Sequence, residues 1–340
     1  MANQTYSFAS VAGSTIDFDL ATDILSFASG SASSIRLQQN GADVIVSLGL
    51  DSAALHNATI DKLRSGALTF ADGSVVLVGD GLATNGNDSS ANILTGGSGN
   101  DYLSGLGGND TLNGGAGNDT ILTGSGTDTV NAGDGDDALV ADSSLSSASR
   151  FDGGAGADRL KLDGNYSGGV TFVDGTVKNI EQIDLAEDGT AVARTYRLTT
   201  HETTVADGAI LTVDGSALTN DNVNFDGGAE TGTGRYFVTG GGANDLIKGG
   251  AGADMLSATA PPIRPISSPT SRARAWPAAI GSTFPSRTAA SRSPSPASRP
   301  APSAARASSS ERPATAMPTS SGTSRTAAPG SRSTSTTTAF

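Results

Sequence analysis

The sequence predicts an all-β protein whose centre is a parallel β-roll, a solenoid of glycine- and aspartate-rich nonapeptides, flanked by short-strand segments and followed by a disordered tail. Three observations carry this reading. Five nonapeptides in one register fill residues 96–140. Elsewhere apolar residues alternate with polar ones at the period of a strand. From about residue 259 the chain turns to Ser, Pro, Ala, Thr and Arg with no hydrophobic period, a composition that cannot bury enough surface to fold.

Residues 1–85 read as an N-terminal β segment. Ile16, Phe18 and Leu20 alternate with polar neighbours, and so do Val44, Val46, Leu48 and Leu50. Ser52 to Leu63 reads as one short helix. Leu68-Thr69-Phe70, an Asp72-Gly73 turn and Val75 to Val78 read as a hairpin.

The repeats occupy residues 86–142. Aligned by nine they run Gly96-Gly-Ser-Gly-Asn-Asp-Tyr-Leu-Ser104, Gly105-Leu-Gly-Gly-Asn-Asp-Thr-Leu-Asn113 and Gly114-Gly-Ala-Gly-Asn-Asp-Thr-Ile-Leu122, then two degenerate copies from Thr123 and Ala132. The sixth place holds Asp101, Asp110, Asp119, Asp128 and Asp137; the eighth holds Leu103, Leu112, Ile121, Val130 and Leu139. Asn92 and Leu94 extend the register upstream.

Residues 143–230 read as a second short-strand segment. Its turns fall at Asp163-Gly164, Asp174-Gly175, Asp188-Gly189, Asp207-Gly208 and Asp214-Gly215, and one isolated repeat carries Asp158. A second repeat block, 231–258, carries Asp245 and Asp254, with Tyr236 where its first copy should hold an aspartate. Residues 259–340 form the tail.

Each nonapeptide has two parts. The glycine-rich part turns tightly, because glycine reaches positive φ without steric cost. The last three residues make a minimal strand with one apolar side chain facing inward. The aspartate stands where turn becomes strand. Consecutive turns lie on opposite edges of a roll, so Asp101 stacks with Asp119, Asp119 with Asp137, and Asp110 with Asp128. Paired carboxylates repel, and a divalent cation reverses that sign.

Carboxylates and turn carbonyls are hard oxygen ligands of the kind calcium takes in sixes to eights. The candidate ligands are these aspartates with Asp158, Asp245 and Asp254, and the turn glycines Gly97, Gly99, Gly108, Gly115, Gly117, Gly124, Gly126, Gly133 and Gly135. Asp158 lacks a stacked partner in sequence; one has to come from elsewhere in the fold. With no cysteine and two histidines, transition-metal sites are disfavoured.

These copies resemble the haemolysin-type calcium-binding repeats of bacterial RTX (repeats-in-toxin) proteins, Gly-Gly-x-Gly-x-Asp-x-aliphatic-x. The resemblance implies a right-handed parallel β-roll with Ca2+ between stacked turns. It also implies a secreted protein, exported unfolded by type I secretion machinery and folding outside the cell. The tail departs from the acidic, glycine-rich ends of that family. A frameshift near residue 258 would account for it and would remove the export signal.

The charge balance breaks at the same place. Of 34 acidic and 21 basic residues, 33 and 11 lie before Pro261, a net −22, while the rest carries ten arginines and one glutamate. The acidic part repels nucleic acid and attracts cations. No run of about 18 apolar residues offers a membrane span. No catalytic motif is complete: His201-Glu202 begins a zinc-protease motif, but Val205 stands where its second histidine belongs.

The expectation is therefore a calcium-binding structural, surface or adhesion module that is not an enzyme. The alternative is the non-catalytic remnant of a secreted RTX enzyme or toxin. The open ends of a roll invite stacking, which leaves self-association open.

Overall fold

The structure, a computed structural model, describes residues 3–80, 89–187 and 193–258. The tail from residue 259, the Asp188-Gly189 turn and the first residues of the 86–142 segment lie outside them.

From Val76 to Ser257 the chain coils between two stacks of parallel strands. One stack is a single nine-stranded sheet: Val76–Val78, Tyr102–Ser104, Thr120–Leu122, Ala138–Ala141, Arg159–Leu162, Gln182–Leu185, Ile210–Asp214, Arg235–Thr239 and Met255–Ser257. The other begins as a five-stranded sheet, Ile93–Gly97, Thr111–Ala116, Thr129–Asp134, Arg150–Ala155 and Val177–Lys178. A four-stranded sheet follows: Val170–Thr171, Thr195–Thr199, Asn222–Asp226 and Leu246–Lys248.

Successive nonapeptides feed the two stacks alternately, so one coil is two repeats and stacked residues are 18 apart in sequence. Thr111 pairs with Thr129, and Tyr102 with Thr120. The nine-stranded ladder crosses residues 142 and 231 without interruption, so the strands of 143–230 are further coils of the same solenoid.

The eighth residue of each copy builds the core. Leu103, Leu112, Ile121 and Leu160 are fully buried, and Val130 and Leu139 nearly so. Burying such a side chain is worth about 1.5–3 kcal/mol. As the repeats lapse, aromatics take over the core: Tyr166, Phe172, Tyr196, Phe225 and Tyr236 join it, and the Tyr236 hydroxyl bonds Thr200 Oγ1 at 2.9 Å.

The turns stack too closely for side chains. Gly115 has φ +115°, and a Cβ there would overlap the Gly97 carbonyl of the coil before. Glycine is therefore required both for the backbone conformation and for the approach of one turn to the next.

The N-terminal residues form a cap. A parallel sheet of Thr5–Ser7, Ile24–Phe27 and Leu68–Phe70 lies beside a four-stranded sheet of Thr15–Asp17, Asp51–His56, Asp43–Leu48 and Ile35–Asn40. Phe8, Phe27 and Phe70 stack in its core with centroids 4.6 Å apart in each contact. That core continues through Val76 and Val78 to Tyr102 of the first coil, which seals one end of the roll.

Two expectations for this cap are corrected. Ser52 to Leu63 is not one helix: Asp51–His56 is a strand and Ile60–Lys62 a single 3-10 turn. Ala53 and Leu55, two residues apart, both face the core, and strand pairing on that face decides the local conformation. Leu68–Phe70 and Val76–Val78 do not form a hairpin. The first pairs with Ile24–Phe27 and the second with Tyr102–Ser104. The Asp72-Gly73 turn, where Asp72 Oδ1 accepts the Ser74 amide and hydroxyl, hands the chain from cap to roll.

Truncating the core ladder should be costly. Leu112→Ala is expected to lose about 2–5 kcal/mol in a denaturant melt. Ile93→Ala, at a residue 79% exposed, should change stability by less than about 0.5 kcal/mol.

Candidate metal centre

Each coil is tied to its neighbours by two side-chain ladders of opposite direction. The sixth residue reaches back: Asp119 Oδ1 accepts the Asp101 amide at 2.7 Å, Asp137 Oδ1 the Asp119 amide at 2.7 Å, and Asp158 Oδ1 the Asp137 amide at 2.9 Å. On the opposite edge Asp110 Oδ1 accepts from Asn92 and Asp128 Oδ1 from Asp110. The fifth residue reaches forward: Asn100 Oδ1 accepts the Asn118 amide, and Asn118 Oδ1 the Asp136 amide.

The inner ladder uses one oxygen of each carboxylate. The other, Oδ2 of Asp101, Asp119, Asp137, Asp158 and Asp245, is buried and accepts no hydrogen bond. In the glycine-led copies this oxygen points at the first residue of its own repeat, where a glycine leaves a gap. A Cβ on Gly114 would overlap both Asp119 Oδ2 and the Ala132 carbonyl oxygen of the next coil. The same pair converges at Gly96, from Asp101 Oδ2 and Gly114 O, and at Gly153, from Asp158 Oδ2 and Asn179 O.

A carboxylate oxygen and a carbonyl oxygen thus crowd one dry space with no donor between them. Such an arrangement is costly unless a proton or a cation sits there. Burial above all, with neighbouring carboxylates adding to it, pushes Asp119 and Asp128 up to about 6 and Asp137 to about 7. Burial raises Asp101, Asp158 and Asp245 as well.

Among the described residues no three His, Cys, Asp or Glu side chains converge as a metal cluster. A cation here would be held by carboxylate and carbonyl oxygens together, the donor set that suits calcium.

The candidate residues fall into groups. Asp101, Asp110, Asp119, Asp158, Asp245 and Asp254 each lie beside a glycine-led gap, at Gly96, Gly105, Gly114, Gly153, Gly240 and Gly249. The copies of Asp128 and Asp137 begin with Thr123 and Ala132 in place of glycine; the Thr123 hydroxyl bonds Asp128. Gly97, Gly115 and Gly133, and likewise Gly99, Gly117 and Gly135, stack coil upon coil, as do Gly108 and Gly126; Gly124 abuts the Leu106 carbonyl. The carbonyl that meets the carboxylate belongs to the first residue of a repeat, such as Gly114 or Ala132, which the sequence reading did not single out.

Two acids outside the repeats make the same kind of bond: Glu181 in the ladder itself, and Asp221 two residues ahead of Val223, whose amide Asp245 Oδ1 takes. Glu181 Oε2 accepts the Asp158 amide at 2.8 Å and supplies the missing partner of that isolated copy. Asp221 Oδ1 accepts the Arg194 amide at 2.7 Å, and its Oδ2 is buried without a hydrogen bond. Neither follows a glycine-rich turn, so the spacing hid them; the Asn220-Asp221 pair was the only local signal.

Stacked glycine turns, parallel strands in two facing stacks and a ladder of half-used carboxylates define a cation-binding β-roll. The model of the family described as RTX calcium-binding nonapeptide repeat (4 copies) matches residues 84–121, 115–143 and 232–260. The chain thus carries RTX-type calcium-binding nonapeptide repeats in both of its repeat blocks. No curated protein and no solved structure matches it.

Gly114→Ala puts a Cβ against both Asp119 Oδ2 and the Ala132 carbonyl and is expected to weaken calcium binding at that turn; calorimetric titration against the parent reads the difference. The pH response follows from the raised carboxyls. The unfolded chain releases these protons near 3.8, the metal-free roll only near 6 to 7, so between those values the folded state binds more protons. Its stability is full below the lower value and is lost as pH rises through the upper ones. Calcium-free protein should show a stronger β signal in circular dichroism at about pH 4.5 than at about pH 7.5, and calcium should abolish that loss.

Proposed function

We propose that the chain folds when it meets calcium outside the cell and serves there as a non-catalytic structural or surface module, adhesive in character. The observation that supports this is the set of buried Oδ2 atoms facing carbonyl oxygens along the roll. In the unfolded chain these acids are solvated and apart; in the roll they are dry and stacked. Folding therefore gains a large part of its free energy from the ion.

Sites of this kind in extracellular modules bind in the range of about 0.1–1 mM, far above calcium inside a cell. A chain with that threshold stays open inside and closes outside, which suits export as an unfolded chain through type I secretion machinery.

The test is a calcium titration of the full chain followed by far-ultraviolet circular dichroism, with Asp119→Ala as control because Asp119 serves the coils on both sides. A transition from coil to β between about 0.1 and 1 mM calcium, shifted upward in the variant, is expected. A β spectrum that is the same with calcium or with chelator would overturn calcium-driven folding.

A further inference from the structure

The acid ladder on the edge that begins at Asp101 has a break. Its members are marked by one backbone bond, in which the carbonyl of the sixth residue accepts the strand amide of the next coil. Asp137 accepts from Arg159, Asp158 from Gln182 and Glu181 from Thr212. In the next coil the place falls to Leu211, which the strand register sets opposite Tyr236, and Leu211 carries no acid. In the following coil Tyr236 stands in the aspartate's place and turns its ring into the core. Asp254 then resumes the ladder by accepting the Tyr236 amide at 2.9 Å.

Other acids stand in that interval. Glu230 is 3% exposed; its Oε1 accepts the Gly232 amide at 2.7 Å, and its Oε2 is buried without a hydrogen-bond partner. Asp207, from the coil before, accepts the Thr233 amide at 2.7 Å and the Thr233 hydroxyl at 3.0 Å, both through Oδ1. A Cβ on Gly232 would overlap Asp207 Oδ1 and come within 2.9 Å of Glu230 Oε1, so the two carboxylates approach one point from successive coils. Glu202, with the Thr231 hydroxyl on its Oε2 at 3.4 Å, stands beside them. All three line a cleft of about 420 Å³ with Thr203, Val205 and Thr231, and no basic side chain lines it.

We propose that Glu230 and Asp207 form a divalent-cation site of their own, outside the nonapeptide pattern, that bridges the coils where the aspartate ladder is interrupted. Its ligands are hard oxygens: the Glu230 and Asp207 carboxylates, which converge beside Gly232, with hydroxyls or water at the cleft mouth. That set selects calcium over transition metals. Glu202 adds negative charge without entering the ligand shell. The buried Glu230 carboxylate is the anchor, because an unpaired charge at that depth is stable only when neutralised. No nonapeptide aspartate takes part, so the site stands or falls apart from the repeat sites.

The test counts calcium ions on the full chain by equilibrium dialysis, comparing the parent with Glu230→Gln and Asp207→Asn. Asp207 is exposed, and asparagine keeps its acceptor oxygen for Thr233, so the second variant folds whatever happens to the first. Each variant is expected to bind one ion fewer, with the folding transition of the repeats unmoved. Glu230→Gln should also raise the melting temperature in chelator, because it removes the buried charge. An ion count equal to the parent in both variants overturns the proposal, even if the repeats bind calcium as expected. A parent that binds ions, with Asp119→Ala losing repeat sites while Asp207→Asn loses a different one, supports it.

Discussion

The structure depends on one enforced proximity: a carboxylate oxygen held against a backbone carbonyl oxygen in a space that water does not reach. Neither group can leave. The carboxylate is pinned through Oδ1 by an amide of the coil before, as at Asp119 and Asp101. The carbonyl belongs to a turn whose glycines pack against the next turn with no room to spare. What looks like a defect in hydrogen bonding is repeated along the chain, and repetition of a costly arrangement points to a partner that removes the cost.

The rest of the architecture serves that proximity. One aliphatic side chain per nonapeptide gives each half-coil just enough core to hold the strands in register, as Leu103, Leu112 and Ile121 show. The fifth-residue ladder, from Asn100 through Asn118 to Asp136, fixes the outer rim of the turn. The N-terminal cap ends the stack with a dense aromatic core and offers the Val75 amide to Asp101 Oδ1, so the first acid is docked as firmly as the later ones. Where the repeats lapse, aromatic residues such as Phe172 and Phe225 supply the apolar contact that small turns no longer give.

The roll was legible in the sequence because its physics is periodic. An acid at every sixth place and an aliphatic at every eighth require one coil of 18 residues, and the stacking of Asp101 with Asp119 and of Asp110 with Asp128 follows from that alone. What escaped was aperiodic or depended on distant partners. Asp51–His56 is a strand because of what it pairs with across the cap, which no local preference announces. The Asp72-Gly73 turn has the residues of a hairpin, yet its two strands belong to different sheets. The coils between 143 and 230 lack the glycine signature, so Glu181 gave no sign of standing in the same ladder as the repeat aspartates, nor Asp221 of gripping the coil before it. The fifth-place asparagines did recur, but their role shows only once two turns are laid on each other.

The direction of the aspartate ladder has a mechanical consequence. Every Oδ1 grips the coil that precedes it, and the series starts from an amide presented by the cap. A pull on the carboxyl side would therefore detach the coils in order, last one first, each peeling away while its predecessors stay seated. One regular coil of 18 residues would release about 60 Å of slack. The protein would yield in steps and re-seat in the reverse order when the load falls, behaving as a recoverable spring with one tooth per coil.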